Sequence, residues 1–190
     1  MLSYRLAEEA DIPALRALMR RAIDELQNDF LSPEEVAASH AVMGLDTQLV
    51  EDRTYFIISI DGAIAGCGGW GKRATRYGGD HSAGRSADFL DPARDAARIR
   101  AMYANPDFKR RGVGKLILAL GERAAAREGF KRLTLGATLA GEPLYRAYGF
   151  APVEHTLAAT PSSVSVPIIT MEKPVDLAGA ERVIAASLGG

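Results

Sequence analysis

The sequence predicts a single α/β (α+β) domain, and three observations carry that expectation. Its 190 residues suffice for one full hydrophobic core, and no linker divides them. Strand-like and helix-like stretches alternate in the order β-α-α-β-β-β-α-β-α-β-β. One helix is strongly periodic: Val113, Leu116, Ile117, Leu120 and Ala124 recur at the i, i+3, i+4, i+7 spacing of a buried face.

Each element has its own signal. Ser3–Leu6 reads as a first strand. Asp11 is placed to cap a helix whose apolar side is Ile12, Leu15, Leu18, Met19, Ala22, Ile23 and Leu26. Ser32-Pro33-Glu34-Glu35 is a capping box with proline at the first helical position, and its helix should stop near Gly44. Asp61-Gly62 between Tyr55–Ile60 and Ala63–Trp70 is a strong hairpin signal. The glycines of the second arm announce a bulge or close backbone approach. Residues 72–96, with Gly78-Gly79, Gly84 and Asp91-Pro92, read as a long loop of the kind that is functional or mobile. Ala97–Ala104 is a strand, followed by a turn and the periodic helix to about Glu128. Then come a strand at Arg132–Ala137, a short helix at Leu144–Tyr148, and strands at Ala151–Ala158 and Val166–Glu172. A terminal helix over Asp176–Leu188 is expected from Leu177, Val183, Ile184 and Leu188.

Composition sets outer limits. Hydrophobic content of 47% with 25% charged residues belongs to a globular chain. A net charge of −1 offers no general attraction to nucleic acid or to an acidic membrane surface. No apolar run approaches spanning length, and Glu8-Glu9 follow too closely for a signal peptide, so a cytoplasmic location is expected. A single cysteine, Cys67, rules out an internal disulfide.

The most informative stretch is Lys109-Arg110-Arg111-Gly112-Val113-Gly114-Lys115. Its glycines lie where a loop becomes a helix, and the first amides of a helix have no partner within it. The helix dipole adds partial positive charge, and glycine lets a ligand come close to the backbone. Four basic side chains complete an anion cradle suited to a phosphate or pyrophosphate. A mononucleotide P-loop does not fit, because Lys109 stands where its first glycine belongs and Leu116 where its hydroxyl belongs. A dinucleotide loop does not fit either, because Ile117 replaces its third glycine and the stretch lies past mid-chain.

From Met102 to Gly114 the chain instead resembles the acetyl-coenzyme A signature of the GNAT superfamily of N-acetyltransferases: a strand, a Pro-containing turn, then [QR]-x-x-G-x-[GA] opening a helix. Pro143–Phe150 resembles the second signature of that superfamily, a short helix ending in Y-x-x-x-G-F. Lys109 departs from the usual Gln or Arg, keeping the charge without the planar fork of donors. The resemblance spans about Ser3 to Lys173. It implies the GNAT fold, a mixed, strongly bent sheet of about six to seven strands with helices on both faces. It also implies one acetyltransferase domain over 1–174, with 72–96 as a loop insertion and 175–190 as a helical extension.

The implied activity is N-acetyltransfer from acetyl-CoA, the co-substrate, to a primary amine of a small molecule or peptide, directly within a ternary complex and without a metal. The alternative is a non-catalytic acyl-CoA sensor. By the resemblance, Lys109, Arg110, Arg111, Gly112, Val113, Gly114 and Lys115 surround the pyrophosphate. The pantetheine arm pairs with the backbone of Met102, Tyr103 and Ala104 like an added strand, and Thr138 touches the cofactor. Tyr145 matches the tyrosine that reaches the cofactor sulfur as general acid; its phenol, with an ordinary pKa near 10, can protonate a developing thiolate.

No general base is legible. The strand Ala97–Ala104 has no carboxylate, and Glu142, Asp80, His81, His40 and His155 are candidates by type alone. A water relay or an amine arriving neutral serves equally. Cys67 is expected to be a small buried strand residue rather than a nucleophile. Trp70, Arg73, Arg76 and Tyr77 are placed to shape an acceptor pocket, where arginines would favour a carboxylate or phosphate. The resemblance admits a homodimer through the last strands or the terminal helix. No nucleic-acid or membrane partner is expected.

Overall fold

The computed structural model describes residues 1–82 and 84–189. Its frame is a seven-stranded sheet. The strands are β1 (Leu2–Leu6), β2 (Tyr55–Ile60), β3 (Ala63–Gly71), β4 (Ala97–Ala104), β5 (Arg132–Ala137), β6 (Ala151–Ala158) and β7 (Val166–Pro174). They lie in the order β1-β2-β3-β4-β5-β7-β6. All neighbouring pairs are antiparallel except β4 and β5. The helices are α1 (Ile12–Leu26), α2 (Pro33–Val42), α3 (Gln48–Glu51), α4 (Val113–Arg127), α5 (Glu142–Tyr148) and α6 (Leu177–Leu188). The mixed sheet with helices on both faces is the fold class that the sequence predicts. None of the helices is long and apolar enough to cross a membrane.

Alternation along the strands splits the core in two. Phe56, Ile58, Trp70 and Ile99 face α4, whose Leu116, Ile117 and Leu120 are fully buried against them; Ala180 and Ile184 of α6 close this side. Tyr55, Ile57, Cys67 and Tyr103 face the other way, onto Leu15, Met19 and Ile23 of α1. A smaller cluster joins Ala38 and Val42 of α2 to Val166 and Ile168 of β7.

Local signals hold at most ends. Ser32 Oγ accepts from Glu35 N–H at 3.3 Å while Glu35 accepts from Ser32 N–H at 2.8 Å, and the Asp61-Gly62 turn has φ of +50° and +86°. Asp11 departs from expectation. Its carboxylate accepts from Glu8 N–H and from both terminal nitrogens of Arg5, so it locks a 3₁₀ turn before α1 rather than capping α1. The four-residue α3 carries no periodic signal and is absent from the sequence reading.

Candidate active site

Two breaks in regularity create the site. The first is at the start of α4. Arg110 and Gly112 have φ of +61° and +80°. The first helical hydrogen bond runs from Leu116 N–H to Gly112 O at 3.0 Å. Ahead of it, the amides of Arg111 to Lys115 donate to no acceptor among the described residues. Lys109, Arg110, Arg111 and Lys115 are exposed and form no ion pair there. Val113 differs: its side chain is buried in the core, so its backbone alone faces the cradle. A Cβ on Gly114 would lie 2.6 Å from Leu144 Cδ2, which shows how closely α5 approaches the cradle.

The second break is in the sheet. β4 and β5 pair only at Ala97–Leu133 and Arg98–Thr134. From Ile99 onward the β4 edge that faces β5 has no strand beside it among the described residues, while β5 continues to pair with β7 through Ala137. A bulge accompanies the separation: Ala101 and Met102 together oppose Gly68 of β3, and Ala101 has φ +49°. Gly68 allows it, since a Cβ there would sit 2.7 Å from Ile117 Cγ2 and 2.9 Å from Met102 Cγ. Tyr55 Oη donates to Ala101 O at 2.6 Å and fixes the bulge from beneath. An open strand edge can take an extended ligand by main-chain pairing.

A cavity of about 80 Å³ lies in the gap. Met102, Tyr103, Thr138 and Tyr145 line it, together with Met43, Gly44, Arg76, Tyr77 and Arg100. Tyr145 is half-buried, stands edge-on to Phe150 at 6.2 Å, and its hydroxyl has no hydrogen-bond partner among the described residues. Burial pushes its pKa up to about 12. Tyr103 is spent differently: its hydroxyl accepts from Gly44 N–H at 2.8 Å, fastening the chain after α2 to β4. Thr138 Oγ1 accepts from Gly141 N–H at 3.2 Å and so also starts α5. Met102, Tyr103, Thr138 and Tyr145 thus share one cavity, with the cradle at the far end of the same strand and loop.

The described residues of 72–96 are tied to the fold at several points. Arg73 is held by Asp52 at 2.6 and 2.8 Å, and Arg85 by Asp46 at 2.6 Å. Arg100, at 4% exposure, reaches up from β4 to Thr75 O, Gly78 O and Asp46. Arg73 is therefore committed to structure, Trp70 is core, and Arg76 and Tyr77 alone of those four line the cavity.

None of the five candidate bases lines this cavity. Asp80, His40 and His81 border a separate cavity of about 290 Å³ beside α1. Glu142 pairs with Arg146 at 2.7 Å, and His155 is exposed on β6. Cys67 is fully buried among Tyr55 and Tyr103, and burial lifts its thiol to about 12. Among the described residues no cluster of three His, Cys, Asp or Glu side chains could hold a metal. Sequence reasoning missed Arg100, which lines the cavity, and Asp46, which holds it. The available signal was the pair of arginines at alternate positions of an otherwise apolar central strand.

Comparison with known proteins follows the same lines. The sequence profile of the acetyltransferase (GNAT) family matches residues 16–150. A GCN5-related N-acetyltransferase from Rhodopseudomonas palustris is similar in structure, with TM-score 0.66 and 19% identity over 90% of this chain and 94% of that one. PaiA N-acetyltransferase from Thermoplasma acidophilum, in complex with coenzyme A, gives TM-score 0.61 and 14% identity over 92% and 99%. YncA from Salmonella typhimurium, with its cofactor acetyl-CoA, gives 0.61 and 15% over 93% and 95%. No curated protein sequence matches the chain. The bare amides and open strand edge fit an elongated diphosphate thioester, and the chain belongs to the GNAT family of acetyl-CoA-dependent acetyltransferases.

Proposed function

We propose that this enzyme acetylates a primary amine of a small molecule or peptide by direct transfer within a ternary complex. The observation that carries the reading is the convergence of two backbone features on one free phenol. The unsatisfied amides at the start of α4 and the unpaired edge of β4 lead to the cavity where the Tyr145 hydroxyl is uncommitted.

When bound, acetyl-CoA supplies the activated acetyl thioester. Arg111 to Lys115 hold its diphosphate through backbone amides, with Lys109, Arg110, Arg111 and Lys115 adding charge. Met102, Tyr103 and Ala104 offer main-chain groups to the extended arm, and Thr138 a hydroxyl. Tyr145 donates its phenolic proton to the departing sulfur. Its raised pKa keeps that proton in place across the neutral range.

Direct transfer is supported by Cys67, whose thiol stays protonated and lies outside the cavity wall. Because no carboxylate or imidazole among the described residues borders the cavity, we read the amine as entering in its neutral form; after its attack the surplus N–H proton leaves to water, and solvent returns a proton to Tyr145 once the phenol has protonated the sulfur. The catalytic unit is taken as 1–174, with 72–96 as a wall of the acceptor side and 175–190 as an added helix.

The test is thiol release from acetyl-CoA across a panel of amines, beside acetyl-CoA binding by calorimetry. Release that requires an amine supports the reading. Tight binding without release for any amine would favour a sensor instead.

A further inference from the structure

A further opening lies beside the cradle. A groove of about 360 Å³ runs between α4, the end of α5 and α6, and Lys115 of the cradle forms part of its wall. A volume of this order suits a small ligand. Lys115 and Glu122, seven residues apart, lay the groove along two turns of α4, about 11 Å. Its link to the cradle is direct. Gly114, next to Lys115, abuts Leu144 of α5, and Ala147, one turn further along α5, lines the groove.

The opposite wall is α6, which lies outside the residues that match the family profile. Buried contacts set its position. Asp176 N–H donates to Glu122 Oε1 at 2.6 Å, and Glu122 also pairs with Lys173, both of them buried. Further along, Glu181 pairs with Arg127 at 3.1 Å. Gly179, Arg182, Val183 and Ala186 recur at helical spacing, so one face of α6 looks into the groove.

Among the described residues three cations and two carboxylates line this groove, and their commitments differ. Glu122 and Lys173 neutralise each other, and Lys173 Nζ also stands 5.2 Å from the centre of the Tyr148 ring. Asp176 is spent on α6, where its Oδ1 accepts from Gly179 N–H at 2.9 Å. Lys115 has no acidic partner among the described residues. Arg182 has only Asp176, at 3.9 Å, which is beyond hydrogen-bond reach. The groove therefore combines a satisfied interior, small apolar side chains and two spare cations.

Resting on the cradle reading above, we propose that this groove seats the adenosine end of acetyl-CoA, and that Arg182, with Lys115, binds its 3′-phosphate. A ligand whose diphosphate lies on the amides of Arg111 to Lys115 carries its nucleoside on that diphosphate, and the groove opens at Lys115. The base meets Ala147, Val183 and Ala186. The phosphate meets the ammonium of Lys115 and the donor fork of Arg182. The terminal helix is thereby a working part of the coenzyme site.

The experiment measures, by calorimetry on the full chain, the affinity for acetyl-CoA and for acetyl-dephospho-CoA, which lacks only the 3′-phosphate. Acetyl-CoA should bind roughly tenfold to a hundredfold more tightly, the scale of hydrogen bonds to a charged group. Arg182→Gln should weaken acetyl-CoA by about tenfold and leave acetyl-dephospho-CoA unchanged, and Arg182→Lys should restore part of the difference. Arg182 is exposed, so its replacement leaves the core untouched. Ala186→Trp, also at an exposed position, should fill the groove. It should weaken both thioesters while sparing S-acetyl-4′-phosphopantetheine, which has no nucleoside.

Equal affinity of the native chain for the two thioesters overturns the inference and leaves the cradle in place. So does an Arg182→Gln effect that is absent or equal on both, or an Ala186→Trp effect that is absent or equal on all three ligands. Absence of binding by acetyl-CoA and by S-acetyl-4′-phosphopantetheine defeats the cradle reading, and this inference falls with it.

Discussion

Tyr145 and Cys67 show how single side chains in one fold are assigned opposite roles by their surroundings. Both are desolvated and both are pushed up to about 12. Tyr145 opens onto the cavity with a spare hydroxyl, whereas Cys67 is sealed against α1. Replacing Tyr145 by Phe should therefore lower kcat by about a hundredfold and leave acetyl-CoA affinity by calorimetry nearly unchanged; unchanged turnover would remove Tyr145 from the mechanism. Cys67→Ala should keep full turnover, since no acyl group passes through it, and a large loss would revive a two-step route. Its effect on stability has a definite sign. A thiol whose folded pKa is raised stabilises the fold fully below its unfolded value of 9, and that contribution fades as pH climbs toward 12. Thermal melts of the native chain should consequently fall above pH 9, and those of Cys67→Ala should fall less steeply.

Among the elements, the described residues of 72–96 form no helix or named strand yet are anchored, and the central anchor is Asp46. This carboxylate, 2% exposed, accepts from Arg100 at 3.0 Å, from Arg85 at 2.6 Å and from Gln48 N–H at 3.1 Å. It joins the chain after α2, the long segment and the central strand. Removing one partner of a buried ion pair leaves the other charge uncompensated. Asp46→Ala should cost about 3–5 kcal/mol by denaturant unfolding and speed proteolysis within 72–96; a loss near zero would mean the segment is held by something else. The same contacts explain what could be read from sequence. Ser32, Asp61-Gly62 and the face of α4 were legible because their partners lie within one turn. Asp11 was misplaced because two nearby backbone ends compete for one carboxylate. Arg100 and Asp46, 54 positions apart, carry no local periodicity to connect them. The resemblance implied only that an extended arm pairs along Met102–Ala104; the open edge from Ile99 onward is where such pairing is free to occur, whereas Arg100 belongs to this chain and had no such guide.

For the whole molecule, the decisive contrast is between a nearly neutral chain and a concentrated cationic end. The net charge is −1, yet Lys109, Arg110, Arg111 and Lys115 gather around amides that no group among the described residues satisfies. A ligand that binds the native state alone raises its stability by about 2.7 kcal/mol at one hundred times its Kd. For a chain of this size that corresponds to a Tm increase of roughly 5–10 °C. Acetyl-CoA should produce such a rise. Because the four cations are exposed, their share should weaken with salt, as the screening length drops from about 10 Å at 0.1 M to about 3 Å at 1 M. The backbone amides should persist, so the shift should shrink without vanishing. Arg111→Glu, which leaves Lys109, Arg110 and Lys115 facing one new carboxylate, should lower the shift at 0.1 M and weaken its response to added salt by about half. A Tm unmoved by acetyl-CoA, or a shift indifferent to salt in the native chain, would mean that the cradle is not where the diphosphate binds.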